Sequence, residues 1–136
     1  MDAKGRLAIP TRFREVLERR GEDTLVVTNH DSCLWVYAKK DWLIIEEKAI
    51  ELPEFDQDVN TYLRYFISGA KECPLKQNRI TIPPDLREIA GLDREVMLVG
   101  QLKRFEIWSR EKWEEAFRKA KEHFPRASQS LREFGI

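Results

Sequence analysis

Two cationic side chains flank a glycine near the head of the sequence, as Lys4-Gly5-Arg6, with Asp2 four residues ahead of the arginine. A guanidinium can donate two parallel hydrogen bonds, either to a phosphate or to the O6 and N7 edge of a guanine. A lysine adds positive charge that any phosphate attracts, which gives affinity without sequence information. The glycine between them permits a tight turn that sets both on one edge. An arginine returns at Arg79, behind Gln77 and Asn78. Asparagine tolerates a left-handed backbone better than most residues, so a similar turn can form there. Taken alone, such residues also suit a plain solvated surface, and both readings stay open at this point.

Other reactive side chains are sparse. His30, Asp31 and Cys33 crowd one short segment, and a Cys-His pair can form a nucleophile. Their crowding reads better as a hairpin turn. No glycine-rich phosphate loop and no paired-acid signature accompany them, so no catalytic residue and no small-molecule substrate are expected. His30, Cys33, Cys73 and His123 lack the ligand spacing of a metal site, so no metal or other cofactor is expected. Two cysteines cannot build a disulfide framework.

The elements that must position these residues belong to one small chain. It has 136 residues, 24 Lys+Arg against 24 Asp+Glu, and 42% apolar side chains. Zero net charge argues against a broadly basic surface, but the charge is unevenly distributed. Residues 1–20 hold six cationic side chains against three acidic ones, and residues 41–58 hold seven acidic against one cationic. Such asymmetry can make one face cationic and another anionic, and it is the local field that attracts phosphate. The apolar runs are far shorter than the ~20 residues of a membrane span. No apolar run follows Met1 as in a secretory leader. A cytoplasmic globular protein without a membrane partner is expected.

An internal repeat organises the chain. Arg6-Leu7-Ala8-Ile9-Pro10 returns 73 residues later as Arg79-Ile80-Thr81-Ile82-Pro83. Leu25-Val26-Val27, Leu34, Val36 and Trp42 return 71 residues later as Val96-Met97-Leu98, Phe105, Ile107 and Trp113. Two similar units, each unable to bury its apolar face alone, predict a pseudo-two-fold module. In each copy a short alternating strand ends at proline. An amphipathic helix follows, stopped at Gly21 or Gly91, and then a hairpin near 25–37 or 95–108. Each copy thus reads β-α-β-β. Helical apolar spacing predicts further helices over Trp42 to Leu52, over Val59 to Ala70, and from an N-cap at Ser109 to Phe124. Residues beyond Pro125 lack a period and are expected to form a mobile tail. Trp42 and Trp113 are expected in the core. Trp35 should face away from Leu34 and Val36, under either a helix or another subunit. Arg14 and Arg87, each followed by a glutamate, suit a helix-surface ion pair or an interface contact.

The opening Asp2-Ala3-Lys4-Gly5-Arg6-Leu7-Ala8-Ile9-Pro10, its copy at Arg79, Glu95-Val96-Met97-Leu98-Val99-Gly100 and Phe105-Glu106-Ile107-Trp108 closely resemble the MraZ family. The resemblance runs from residue 2 to about residue 124. It implies an α+β fold of two tandem β-α-β-β halves of AbrB-like, swapped-hairpin type, with peripheral amphipathic helices. It divides the chain into a first half with its following helix (1–52), a connecting helix and strand (53–74), a second half with its helix (75–124) and a tail (125–136). Members of the family carry a short strand ahead of the motif, whereas this sequence opens on the motif.

The resemblance also implies a role. Members regulate transcription of the bacterial division and cell-wall gene cluster, as ring-like homo-oligomers on tandem, short, G-rich boxes. A sequence-specific, nucleoid-associated transcriptional repressor that binds double-stranded DNA is therefore expected, with no enzymatic activity. Carried over residue by residue, the motif gives Lys4 and Arg6 as DNA contacts, with Asp2 and Gly5 shaping the turn. In the second copy Arg79 keeps the arginine, Gln77 stands for Lys4, Asn78 for Gly5, and Leu75 for the acid. The first copy is therefore expected to dominate. The alternative is an oligomeric scaffold without specific DNA reading.

Overall fold

The computed structural model describes residues 1–136. The first half runs β1 (Arg6–Ala8), α1 (Thr11–Arg19), β2 (Thr24–His30), β3 (Cys33–Ala38) and α2 (Lys39–Ile50). A connector follows, comprising α3 (Gln57–Tyr62), a π-helical turn (Leu63–Ile67) and β4 (Lys71–Pro74). The second half repeats the first as β5 (Arg79–Thr81), α4 (Pro84–Ala90), β6 (Val96–Gly100), β7 (Phe105–Ser109) and α5 (Arg110–Ser130).

Equivalent residues make equivalent boundaries. Pro10 and Pro83 stand at the N-caps of α1 and α4, at φ −56° and −57°, where a missing N–H costs nothing. Both helices stop at a left-handed glycine, Gly21 and Gly91, each at φ +66°. The Glu22 N–H reaches back to the Leu17 carbonyl, and the Leu92 N–H to that of Arg87, so the last turn's orphan acceptors are satisfied the same way twice.

The two halves interlock. β1 pairs antiparallel with β5, as Arg6 opposite Thr81, Leu7 opposite Ile80 and Ala8 opposite Arg79. The Ile9 N–H donates to the Asn78 carbonyl at 3.0 Å, and the Ile82 N–H to that of Gly5 at 2.8 Å. The other five strands form one antiparallel sheet in the order β4-β2-β3-β7-β6. At its centre Leu34 faces Ile107, Trp35 faces Glu106 and Val36 faces Phe105. A pseudo-two-fold axis therefore passes through the Leu7/Ile80 and Trp35/Glu106 pairs. Phe13 of α1 stacks on Phe105 of the other half at 4.7 Å, and α4 packs against β2 and β3. Each helix covers the partner half's strands, so neither half has a closed core alone.

The sheet lies between two layers. On one side the ribbon of β1 and β5, with α1 and α4, buries Leu7, Ile9, Leu17, Ile80, Ile82 and Leu86 against Leu25, Val27, Leu34, Val36 and Ile107. On the other side α2 and the π-turn bury Trp42 and Phe66 against Val26 and Tyr37, and α5 sets Trp113 beside Trp108 at 5.9 Å. Trp42 is buried and Trp113 only half-buried. Fully burying such large apolar side chains contributes about 1.5–3 kcal/mol each, and the intervening sheet uses both its faces this way.

The π-turn has a local cause. The Thr28 hydroxyl donates to the Phe66 carbonyl and the Asn29 amide to the Tyr65 carbonyl. These carbonyls are bonded by β2 side chains, and the Ser68 N–H reaches back five residues to Leu63. Gly69 lets Asn29 approach, since a Cβ there would collide with its amide nitrogen.

Trp35 is covered from within the chain. The His30 ring stacks on it at 3.4 Å and 4°, the Arg104 guanidinium lies 3.4 Å from its centroid, and Phe66 meets it edge-on at 5.8 Å. Two planar groups that close cannot share one face, so the indole is sandwiched.

The tail expectation is corrected: α5 runs through Pro125 to Ser130, and a short 3₁₀ turn follows (Arg132–Phe134). Proline removes one backbone donor, but a helix already several turns long propagates readily through good helix formers such as Ala120, Glu122 and Ala127. Within it Arg118 pairs with Glu122 at 2.6 Å. The missing apolar period marks a stretch that packs against little, not one that lacks helical structure.

Candidate nucleic-acid interface

The strand β1 alternates, so Leu7 is buried while Arg6 and Ala8 face outward, and in β5 Ile80 is buried while Arg79 and Thr81 face outward. Because Arg6 lies opposite Thr81 and Ala8 opposite Arg79, the two arginines share the exposed face of one two-stranded ribbon as diagonal neighbours. Diagonal neighbours on one face of an antiparallel pair lie about 7–8 Å apart, within reach of one ligand.

The first loop is held by Asp2. Its Oδ1 accepts from the Lys4 N–H at 3.0 Å and the Arg6 N–H at 2.8 Å, and its Oδ2 accepts from Arg6 Nε at 2.6 Å. The Arg6 backbone N–H, then its guanidinium, hold the Asp2 carboxyl below the usual carboxylate range. Only Nε of Arg6 is engaged in this way, so its two terminal nitrogens remain free to donate. Lys4 is exposed at the crest.

Gly5 is buried at φ +83°. A Cβ there would lie 2.8 Å from both the Ile82 carbonyl oxygen and Arg87 Nε. This position therefore requires glycine twice, for its backbone and for its neighbours.

The second loop is built differently. Gln77 and Asn78 are both left-handed, at φ +50° and +66°. Lys76 and Arg79 bond each other through both backbone groups, at 2.8 and 3.0 Å, which closes a two-residue hairpin turn of the type I′ kind. Leu75, in the place of the acid, packs against the core and orients nothing polar. Gln77 and Asn78 are exposed and Arg79 is half-buried. The geometry thus brings Arg6 and Arg79 together, sets Lys4 and Gln77 at the two loop crests, and ties the Asp2 carboxylate to Arg6 and the Lys4 backbone but not to Arg79.

Arg14 and Arg87 form no ion pair with their glutamates, contrary to one expectation. Arg14 Nε donates to the Ile9 carbonyl at 2.9 Å and its terminal nitrogen to the Thr11 hydroxyl at 2.8 Å. Arg87 lies against Gly5. Arg14 thus ties α1 to the end of β1, and Arg87 backs the first loop at Gly5. Lys76 is an exposed cation that the repeat alignment passed over, because it stands where the first copy has Ala3. Its signal was the hairpin closure, which depends on two left-handed residues in a row.

The rival chemistries find little support in the geometry. The Cys33 thiol donates to the His30 backbone carbonyl, not to its ring, and burial pushes it up to about 12. Burial also holds His30 below its ordinary value, as a neutral ring on Trp35. No group of three His, Cys, Asp or Glu side chains is arranged to hold a metal ion. No helix is long and apolar enough to cross a membrane. Trp42 anchors α2 on the sheet face opposite the ribbon, while Asp41 at the start of α2 pairs with Arg20 at the end of α1 at 2.8 Å.

A family model described as "MraZ protein, putative antitoxin-like" matches the chain twice, over residues 1–65 and 66–134, with one loop in each match. A protein named transcriptional regulator MraZ from Syntrophobacter fumaroxidans is 42% identical over 137 residues, covering 100% of this chain and 91% of its own length. One from Desulfitobacterium hafniense is 43% identical, covering 100% and 94%. One from Carboxydothermus hydrogenoformans is 50% identical over 114 residues, covering 83% and 78%. These relatives are named as regulators and not as enzymes. The chain belongs to the MraZ family.

Proposed function

We propose that the chain regulates transcription by binding double-stranded DNA through the ribbon of β1 and β5 and the loops at its ends. The observation that carries this reading is the shared outward face of Arg6 and Arg79 on a two-stranded antiparallel ribbon, a shape the major groove admits. Asp2 holds Arg6 by Nε and leaves the terminal nitrogens to fork onto guanine O6 and N7. Lys4 and Gln77 contact the DNA from the loop crests, and Gly5 and Asn78 supply the turns. The relatives' name, transcriptional regulator, supports the regulatory role.

The finer reading is a repressor of the bacterial division and cell-wall gene cluster, acting at the nucleoid on tandem G-rich boxes as a ring-like homo-oligomer. Exposed apolar side chains support self-association: Val16 and Ile89 at equivalent places on α1 and α4, and Ile50 and Phe55, 80% and 94% exposed, at the end of α2 and beyond it. A ring repeats weak contacts along tandem boxes, and effective concentration adds them together.

The test is a binding titration on a duplex with tandem G-rich boxes and on a scrambled one, at low and moderate salt, with wild type and Arg6→Ala. Salt-sensitive preference for the boxes, lost in the variant with oligomer size unchanged, is the expected result. Equal weak binding to both duplexes would leave the oligomeric scaffold as the better account.

A further inference from the structure

We propose that Lys76 and Arg79 form a phosphate clamp, so that the second loop supplies sequence-independent affinity while the first loop reads bases. This rests on the DNA-binding reading above. Lys76 and Arg79 close the two-residue turn through a reciprocal pair of backbone bonds. Residues so paired lie about 5.5 Å apart and send their side chains to one side of the ribbon. Arg79 faces outward, opposite the buried Ile80, and Lys76 shares that direction.

Neither side chain takes part in an ion pair, whereas Arg6 is held by Asp2 at 2.6 Å. Two adjacent, unneutralised cations with free rotors suit the diffuse charge of a phosphodiester backbone. A base-reading fork needs fixed orientation, which the second loop lacks because Leu75 replaces the acid. The left-handed Gln77 and Asn78 give the turn its form, and that form aligns the two cations. The loss of the acid thus changes the second loop's work rather than ending it.

The experiment measures anisotropy of the boxed and scrambled duplexes across a salt series, with wild type, Lys76→Gln, Arg79→Lys and Arg6→Lys, each checked for folding and assembly by circular dichroism and size-exclusion chromatography. Lys76→Gln should weaken both duplexes by the same factor and make the slope of log affinity against log salt shallower by about 0.9 per engaged copy. Arg79→Lys should keep both affinities, because the charge remains. Arg6→Lys should lower the preference for boxes about tenfold or more, because the fork is lost. An unchanged salt slope in Lys76→Gln, or a loss confined to the boxed duplex, would overturn the clamp while leaving DNA binding intact. Absence of binding by the wild type to either duplex would overturn both readings.

Discussion

Replacing Gly5 by alanine tests the seam between the halves, and Gly21→Ala is its control. Both glycines are left-handed, at φ +83° and +66°, so alanine at either site costs about 1–2 kcal/mol of backbone strain. Part of that is offset by the lower entropy of the unfolded chain, about 0.4–1 kcal/mol, which leaves roughly 1 kcal/mol at Gly21. No atom lies within 4 Å of a Cβ built at Gly21. At Gly5 the new Cβ meets the Ile82 carbonyl oxygen at 2.8 Å, and a backbone oxygen cannot swing aside as the Arg87 side chain can. Relieving that overlap adds about 1–3 kcal/mol of overpacking. It also disturbs the 2.8 Å bond from the Ile82 N–H to the Gly5 carbonyl, for roughly 1 kcal/mol more. Gly5→Ala should therefore cost about 3–5 kcal/mol. Urea unfolding at a fixed protein concentration measures both, provided the m-value is unchanged. Gly5→Asn should recover little, because the collision comes from Cβ itself. A Gly5→Ala cost no greater than that of Gly21→Ala would refute the close approach of the two halves at this point.

Other outcomes follow from the same interior. Cys33 and Cys73 are buried, and burial pushes their thiols up to about 12 and about 11. A raised value favours the neutral thiol in the folded state, so this contribution is full below the ordinary thiol range and fades as pH climbs towards 11. At pH 8 the native protein should not react quickly with an aromatic disulfide reagent, and two thiols should react after unfolding; fast native labelling would contradict the burial. Arg104→Gln should cost about 1–2 kcal/mol and alter the emission of Trp35, since it removes a guanidinium from a partly desolvated indole face. Unchanged stability and emission would mean that the stack holds nothing together.

The repeat made the element order legible, because Pro10 and Pro83, Gly21 and Gly91 mark the same boundaries by the same backbone chemistry. What it could not convey is that β1 pairs with β5 and that α1 covers the other half's strands. Either half alone carries the same apolar pattern whether it closes on itself or on its copy. Trp35 was readable as facing away from Leu34 and Val36, but its cover comes from His30, Phe66 and Arg104, brought together by sheet register and the connector's return. The turn at Asn78 was foreseeable from one residue's tolerance of positive φ. The left-handed Gln77 was not, since glutamine has no such preference, and with it went the pairing of Lys76 and Arg79. The helix beyond Pro125 was not readable because that stretch packs against little and so carries no apolar period, and an unpacked helix tolerates the one bond that proline removes.

Affinity of wild type and Arg6→Ala for duplexes carrying guanine or 7-deazaguanine in the boxes tests most directly whether Arg6 reads the major groove. The modified base lacks the N7 acceptor and keeps the rest of the base pair. The fork predicts a loss of about 1–3 kcal/mol for wild type, and little further loss in Arg6→Ala, where the partner is already gone. Equal losses in both proteins, or none in either, would contradict the assignment of Arg6 as the base-reading residue.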